Sequence, residues 1–253
     1  LMKIGAQLYT VRTFCQTEKD LGRTLEAIAK MGYEEVQISA IGPIPAKRVR
    51  ALCDANGLKI VLTHNPEQKF TDAIDTLIED HQTYGCKYVG LSMMSEKYRC
   101  EGWLEHFVED FMPAAEKLHE AGMHFMYHNH AYEFQRLADG RQVMDALLDA
   151  FPAELMGVTA DTYWLQYAGM DVNKWLRDHA DRLPCVHFKD LKPELFEIRM
   201  AAVGQGNINF PDIIETLRHN GVTEHVLVEQ DNCYGASPFA CLKQSYDYLS
   251  KRI

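Results

Sequence analysis

The chain has 253 residues, 47% hydrophobic and 25% charged, which excludes a disordered or fibrous polypeptide. Its formal charge of −10 and lack of a dense Lys/Arg cluster argue against a duplex nucleic acid partner, which needs a basic footprint. No run approaches the ~20 apolar residues of a membrane span, so no membrane partner is expected.

Strand-like and helix-like segments alternate along the whole chain. A first strand is predicted over Lys3–Tyr9 and a first helix over Lys19–Met31. Then come strand Glu35–Ile38, helix Ala46–Asn56, strand Lys59–Thr63 and helix Thr71–Tyr84. Strand Tyr88–Leu91, helix Leu104–Ala121, strand His124–Tyr127 and helix Arg141–Phe151 follow. The last pairs are Met156–Ala160 with Asn173–His179, Cys185–Phe188 with Pro211–Asn220, and Val226–Glu229 with Pro238–Lys251. Five helices run into Gly32, Gly57, Gly85, Gly122 and Gly221, where a left-handed residue is expected past a helix end. The strands are nearly continuously apolar, as strands buried on both faces are. Eight such units in strict alternation predict one closed (β/α)₈ barrel over residues 1–253. A doubly wound dinucleotide fold is disfavoured, because no G-x-G-x-x-G follows the first strand.

The seven cysteines contain no C-x-x-C pair and are odd in number. Free thiols are expected, rather than a zinc ribbon or a secreted disulfide framework. The N-terminus lacks the long apolar run of a signal peptide, so a cytoplasmic protein is expected.

In such a barrel, chemistry gathers at the C-terminal ends of the strands. Those ends carry Gln7 and Tyr9, Gln37, His64 and Asn65, Ser92, His128-Asn129-His130 with Glu133, Asp161, His187 with Lys189 and Asp190, and Glu229. Each has a plain reading alone. Asp161 could cap the next segment, His187 could be a buried imidazole, and Glu229 could pair with Lys189. Together, ionisable groups converging on one mouth are costly to bury unless paired or metal-bound. His128 and His130, two apart, are read as sharing one strand face. Mixed imidazole and carboxylate donors suit a divalent ion such as Zn²⁺, Mn²⁺, Fe²⁺ or Co²⁺ better than Ca²⁺. Gly204-Gln205-Gly206-Asn207 could approach a phosphate but reads better as a turn. Trp164 and its aromatic neighbours could floor a sugar site.

Several runs occur in an order that resembles a known family. They are Gln7-Leu8-Tyr9-Thr10, Tyr127-His128-Asn129-His130-Ala131-Tyr132-Glu133-Phe134, Val158-Thr159-Ala160-Asp161, Val186-His187-Phe188-Lys189-Asp190, Val203-Gly204-Gln205-Gly206 and Val228-Glu229. The resemblance is to the sugar phosphate isomerase/epimerase proteins of the xylose isomerase-like barrel superfamily. It implies a divalent metal (Mn, Zn, Co, Fe or Mg) on His128, Asp161, His187 and Glu229, with His128 or His130 as the strand-five ligand. Many characterised members carry Glu at the strand-five position, where this chain has His128. The resemblance further implies catalytic roles for Glu229, Glu133 and Lys189, and substrate contacts from His130, His64, Gln7, Tyr9, Trp164 and Asp190. The implied partner is a sugar or polyol, in a chain that could be a homodimer. Isomerisation or epimerisation through an enediolate is the expected reaction. A lyase, dehydratase or deglycosidase on a keto-sugar or inosose, or a non-catalytic sugar-binding barrel, are the alternatives.

Overall fold

The computed structural model describes residues 2–253. Eight parallel strands close into a barrel: β1 (Lys3–Gln7), β2 (Glu35–Ile38), β3 (Lys59–Asn65), β4 (Tyr88–Leu91), β5 (His124–His128), β6 (Met156–Asp161), β7 (Cys185–Phe188) and, after a hairpin, β10 (His225–Val228). The hairpin is an antiparallel arm, β8 (Asp190–Glu194) and β9 (Glu197–Ala201). Around the barrel lie α1 (Glu18–Met31), α2 (Ala46–Ala55), the short α3 (Gln68–Thr71) and α4 (Ile74–Tyr84). Next are α5 (Trp103–Glu120), α6 (Val143–Ala150), the short α7 (Thr162–Tyr167) and α8 (Val172–Asp178). The last two are α9 (Phe210–Asn220) and α10 (Pro238–Leu249). The predicted barrel is the observed one, because buried parallel strands need helices on their outer face.

The differences are local. The helix predicted over Thr71–Tyr84 splits, with Ala73 leaving the helical region before α4. Strand one ends at Gln7, because the chain turns into a 3₁₀ segment over Leu8–Phe14. Strand five ends at His128, so His130 lies beyond it. The hairpin lies between the predicted strand Cys185–Phe188 and the predicted helix Pro211–Asn220, where no element is expected. All five predicted helix-ending glycines adopt positive φ. All seven cysteines are free thiols. No described helix is long and apolar enough to cross a membrane.

Strand parity builds the interior. Leu62, Met126, Cys185 and Leu227 pack with Val61 and Tyr88 in a small apolar cluster separate from the main core. One two-residue step along the same strands lie His64, His128, His187 and Glu229. Alternate strand residues share a face, so an apolar plug supports a polar ring above it. At the opposite end His225 Nδ1 pairs with Glu35 at 2.7 Å, and the Tyr88 hydroxyl donates to Glu224 at 2.8 Å.

Candidate active site

His128 Nε2, Asp161 Oδ2, His187 Nδ1 and Glu229 Oε2 are brought together at the C-terminal mouth. All four residues are buried, and ligand atoms from each lie within 4.8 Å of one another. His187 Nδ1 is 3.1 Å from Glu229 Oε2 and 3.9 Å from Asp161 Oδ2. His128 Nε2 is 3.4 Å from Asp161 Oδ2. Atoms each ~2.1 Å from one ion sit roughly 3.0–3.4 Å apart in octahedral or tetrahedral arrays, close to this spacing.

Hydrogen bonding on the far side of each ring sets which nitrogen is free. His128 Nδ1 faces the Ser92 carbonyl at 3.1 Å, which can only accept. The proton of neutral His128 therefore sits on Nδ1, and the Nε2 lone pair faces Asp161. His187 Nε2 lies 2.7 Å from Gln37 Oε1, so His187 repeats the pattern with Nδ1 towards the carboxylates. His187 Nδ1 is a shielded atom without a hydrogen-bond partner. A lone pair aimed at a carboxylate is repulsive unless a proton or a cation stands between them. Imidazoles fixed by such outer contacts are the usual support of a metal site. Asp161 contributes a single free oxygen. Its Oδ1 caps α7 by accepting from the backbone N–H of Tyr163 and Trp164, leaving Oδ2 for the cluster. Asn129 Oδ1 accepts the Asp161 N–H at 2.9 Å and fixes that strand end. The donor set fits a divalent ion.

Lys189 shares the same carboxylates. Its Nζ lies 2.7 Å from Asp231, 3.3 Å from Glu229 and 3.6 Å from Asp161. Burial opposes its charge, but the three carboxylates outweigh burial and hold its pKa above the usual lysine value. For His187 burial again opposes the charge, yet Glu229 and Asp161 raise the pKa to about 9. Asp161 and Glu229 are held low despite burial, chiefly by Lys189. Burial pushes Asp231 up to about 6. Three carboxylates against the Lys189 ammonium and a protonated His187 leave one negative charge, and loss of the His187 proton leaves two, the deficit that one divalent ion cancels.

A cavity of about 210 Å³ opens above this cluster. Tyr9, His64, His128, His130, Lys189 and Glu229 line it, with Ser39, Ser92, Met93 and Asp231. Asp231 had no assigned role in the sequence, although it shares strand parity with Glu229. Gln37, placed at a strand end without a role, supports His187. His130 stands beside the four rather than among them. Its ring lies 4.7 Å from the His128 ring, and burial lowers its pKa to about 3. Trp164 packs 5.3 Å from His130 and 5.3 Å from Lys189 Nζ. Gln7 is buried and contacts His64.

Two expected site residues are placed elsewhere. Glu133 is buried, with Oε1 accepting the Tyr127 hydroxyl at 2.6 Å and Oε2 accepting the His130 N–H at 2.8 Å. Both its oxygens support the strand-five loop instead of lining the cavity. Asp190 is buried and accepts four backbone N–H groups: Leu191, Gly204, Gly206 and Ile208. It latches the Gly204–Ile208 turn to the barrel and makes no contact with the cavity. The same bonds occupy amides that the Gly-rich run would need to cradle a phosphate.

Residues 25–251 match the family described as xylose isomerase-like TIM barrels. The chain belongs to that family. An inosose dehydratase of Geobacillus kaustophilus is 22% identical over 271 aligned positions, covering 91% of this chain and 87% of that protein. A sugar phosphate isomerase/epimerase structure from Parabacteroides distasonis has TM-score 0.82 and 22% identity, with 98% and 93% of the two chains covered. A structure of L-ribulose 3-epimerase has TM-score 0.75 and 15% identity, covering 99% and 94%. The expected family is thus the observed one.

Proposed function

We propose that this chain is a metal-dependent enzyme that removes the proton next to the carbonyl of a polyhydroxy ketone. The carrying observation is the pair of histidines, His128 and His187, each pinned on its far nitrogen so that the other ring nitrogen faces a carboxylate. A divalent ion bound by His128, Asp161, His187 and Glu229 would supply Lewis acidity at the substrate carbonyl. Glu229 lies on the cavity wall and takes the proton. The Lys189 ammonium, held by Asp231 and Glu229, stabilises negative charge as it develops on the substrate oxygens. Lys189 keeps Glu229 ionised before the step. His130 and Tyr9 contact hydroxyl groups, and the closed barrel base excludes water from below.

Return of the proton to the neighbouring carbon gives isomerisation, and return to the opposite face gives epimerisation. Loss of a β-hydroxyl gives dehydration. The position of Glu133 disfavours epimerisation. Proton return from the far face needs a second base there, and both oxygens of Glu133 are committed to Tyr127 and His130. Between the remaining two, the likeness to an inosose dehydratase over 91% of the chain favours dehydration.

The test is incubation of the metal-loaded protein with an inosose and with free ketoses in D₂O. Deuterium entry next to the carbonyl is expected, with an unsaturated product from the inosose. Exchange with epimer formation would favour the epimerase. Absence of exchange from every ketone would reject proton abstraction altogether.

A further inference from the structure

The site contains a hydrogen-bond donor whose orientation follows from a chain of contacts. The Tyr9 backbone N–H donates to Gln7 Oε1 at 3.2 Å. A backbone N–H cannot accept, so this contact fixes which end of the Gln7 amide is oxygen. The other end, Nε2, meets His64 Nδ1 at 3.4 Å. An amide NH₂ cannot accept either, so His64 Nδ1 must present a lone pair. A neutral imidazole with a bare Nδ1 carries its proton on Nε2. His64 Nε2 is shielded from solvent and has no partner, and His64 lines the cavity.

We infer that Gln7 locks His64 as the neutral Nε2–H form, and that this N–H donates to a substrate oxygen. The inference takes its substrate from the proposed function, but not its tautomer. His64 is outside the metal-binding four, yet its ring centre lies 4.8 Å from that of His128 and 5.3 Å from that of His187. His64 lines the same cavity as His128 and Glu229, so a molecule held over the cluster lies beside this ring. The Gln7 amide also opposes a doubly protonated ring, since Nδ1–H would face another donor. A fixed neutral donor needs no reorganisation as charge develops on the oxygen it faces. Space for the ring comes from Gly90 on the neighbouring strand, where an added Cβ would stand 3.0 Å from His64 Cδ2.

The full chain, loaded with diamagnetic Zn²⁺ or Mg²⁺ and labelled with ¹⁵N-histidine, tests this directly. His64→Gln identifies the resonances. Nitrogen shifts of the Nε2–H form are expected, and an Nδ1–H form overturns the lock. Addition of myo-inositol, as a non-reacting polyol, is expected to move the Nε2–H proton of the parent. If neither myo-inositol nor any ketone moves it, the donor role is wrong. Gln7→Glu replaces the amide donor with an acceptor and is expected to invert the tautomer. Deuterium exchange should then fall about 10²-fold in kcat with little change in KM, the size of losing one such donor. His64→Gln, which can still donate near the Nε2 position, should retain more exchange than His64→Ala. Unchanged exchange in Gln7→Glu with an inverted tautomer overturns the donor role. No turnover on any ketone, with the polyol-induced shift still present, rejects the proposed reaction and leaves this inference standing.

Discussion

Asp190→Asn separates a structural latch from a substrate contact. Oδ1 accepts from Leu191 at 2.8 Å and Ile208 at 3.2 Å, and Oδ2 accepts from Gly204 at 2.9 Å and Gly206 at 2.8 Å. Whichever way the Asn amide points, its NH₂ faces two backbone donors. A hydrogen bond to a charged group contributes about 1.5–3 kcal/mol, so losing two costs about 3–6 kcal/mol. Gly204 and Gly206 are only half-buried and regain water, which places the cost near the lower end, about 3 kcal/mol. For a domain of this size, each kcal/mol moves Tm by roughly 2–4 °C. Scanning calorimetry at saturating metal should therefore show Tm lower by about 6–12 °C, with KM unchanged in the surviving folded protein. A Tm within about 2 °C of the parent, together with lost substrate affinity, would refute the latch and restore Asp190 to the substrate.

Glu133→Gln is expected to keep turnover within a few-fold, because the Tyr127 hydroxyl can turn to accept from the new amide. A loss of about 10³-fold or more would mark Glu133 as an acid or base after all. Elemental mass spectrometry should find about one divalent ion per chain and none in Asp161→Ala/His187→Ala. Binding of that ion must displace the proton of His187, whose pKa is about 9. Calorimetry in buffers of different ionisation enthalpy should record about one proton released near pH 7, with affinity rising as pH rises towards 9. Away from the site, His81 Nδ1 donates to the Leu77 carbonyl and Nε2 accepts from Thr63, in a buried setting that lowers its pKa. The unfolded chain then binds the extra proton, so this stability is full above about pH 6.5 and is lost as pH falls below it. Urea melts of the metal-free protein should show that slope, and His81→Leu should reduce it.

The barrel was legible because its signals are local and repeated. Each strand is a short apolar run, five of the eight predicted helices end at a glycine, and eight repeats leave few alternatives. The hairpin was not legible for the converse reason. Its apex, Leu195-Phe196, has φ of +51° and +64°, the pair of left-handed residues that a tight hairpin requires. Turns of that kind normally announce themselves with Asn or Gly. Here two apolar residues occupy the positions, and Phe196 is fully exposed. Burial does not alternate along its strands either: Asp190 and Leu191 are buried at the base of one, Met200 and Ala201 at the base of the other, and the tip is exposed.

The site divides along the same line. Their positions at strand ends put His128, Asp161, His187 and Glu229 at one mouth, the family resemblance implied that set with His128 or His130 from strand five, and the structure gathers the four with His128. Parity fixes the face on which a residue stands. It does not say which of two neighbouring carboxylates turns inward and which is spent on backbone amides. Glu133 and Asp190 both follow strand ends closely, yet each meets N–H donors before it can reach the cavity. Those donors come from backbone conformation in the His130–Phe134 and Gly204–Ile208 turns, which side-chain identity alone does not specify. Asp231 fails in the opposite direction. Two residues past Glu229 it looks like ordinary loop, but Arg12 grips its carbonyl at 3.2 Å and Lys189 its carboxylate at 2.7 Å. The loop after β10 is thereby held against the mouth by a residue from the other end of the sequence. Contacts of that range become visible only once the barrel has closed and brought the segments after β1 and β10 together.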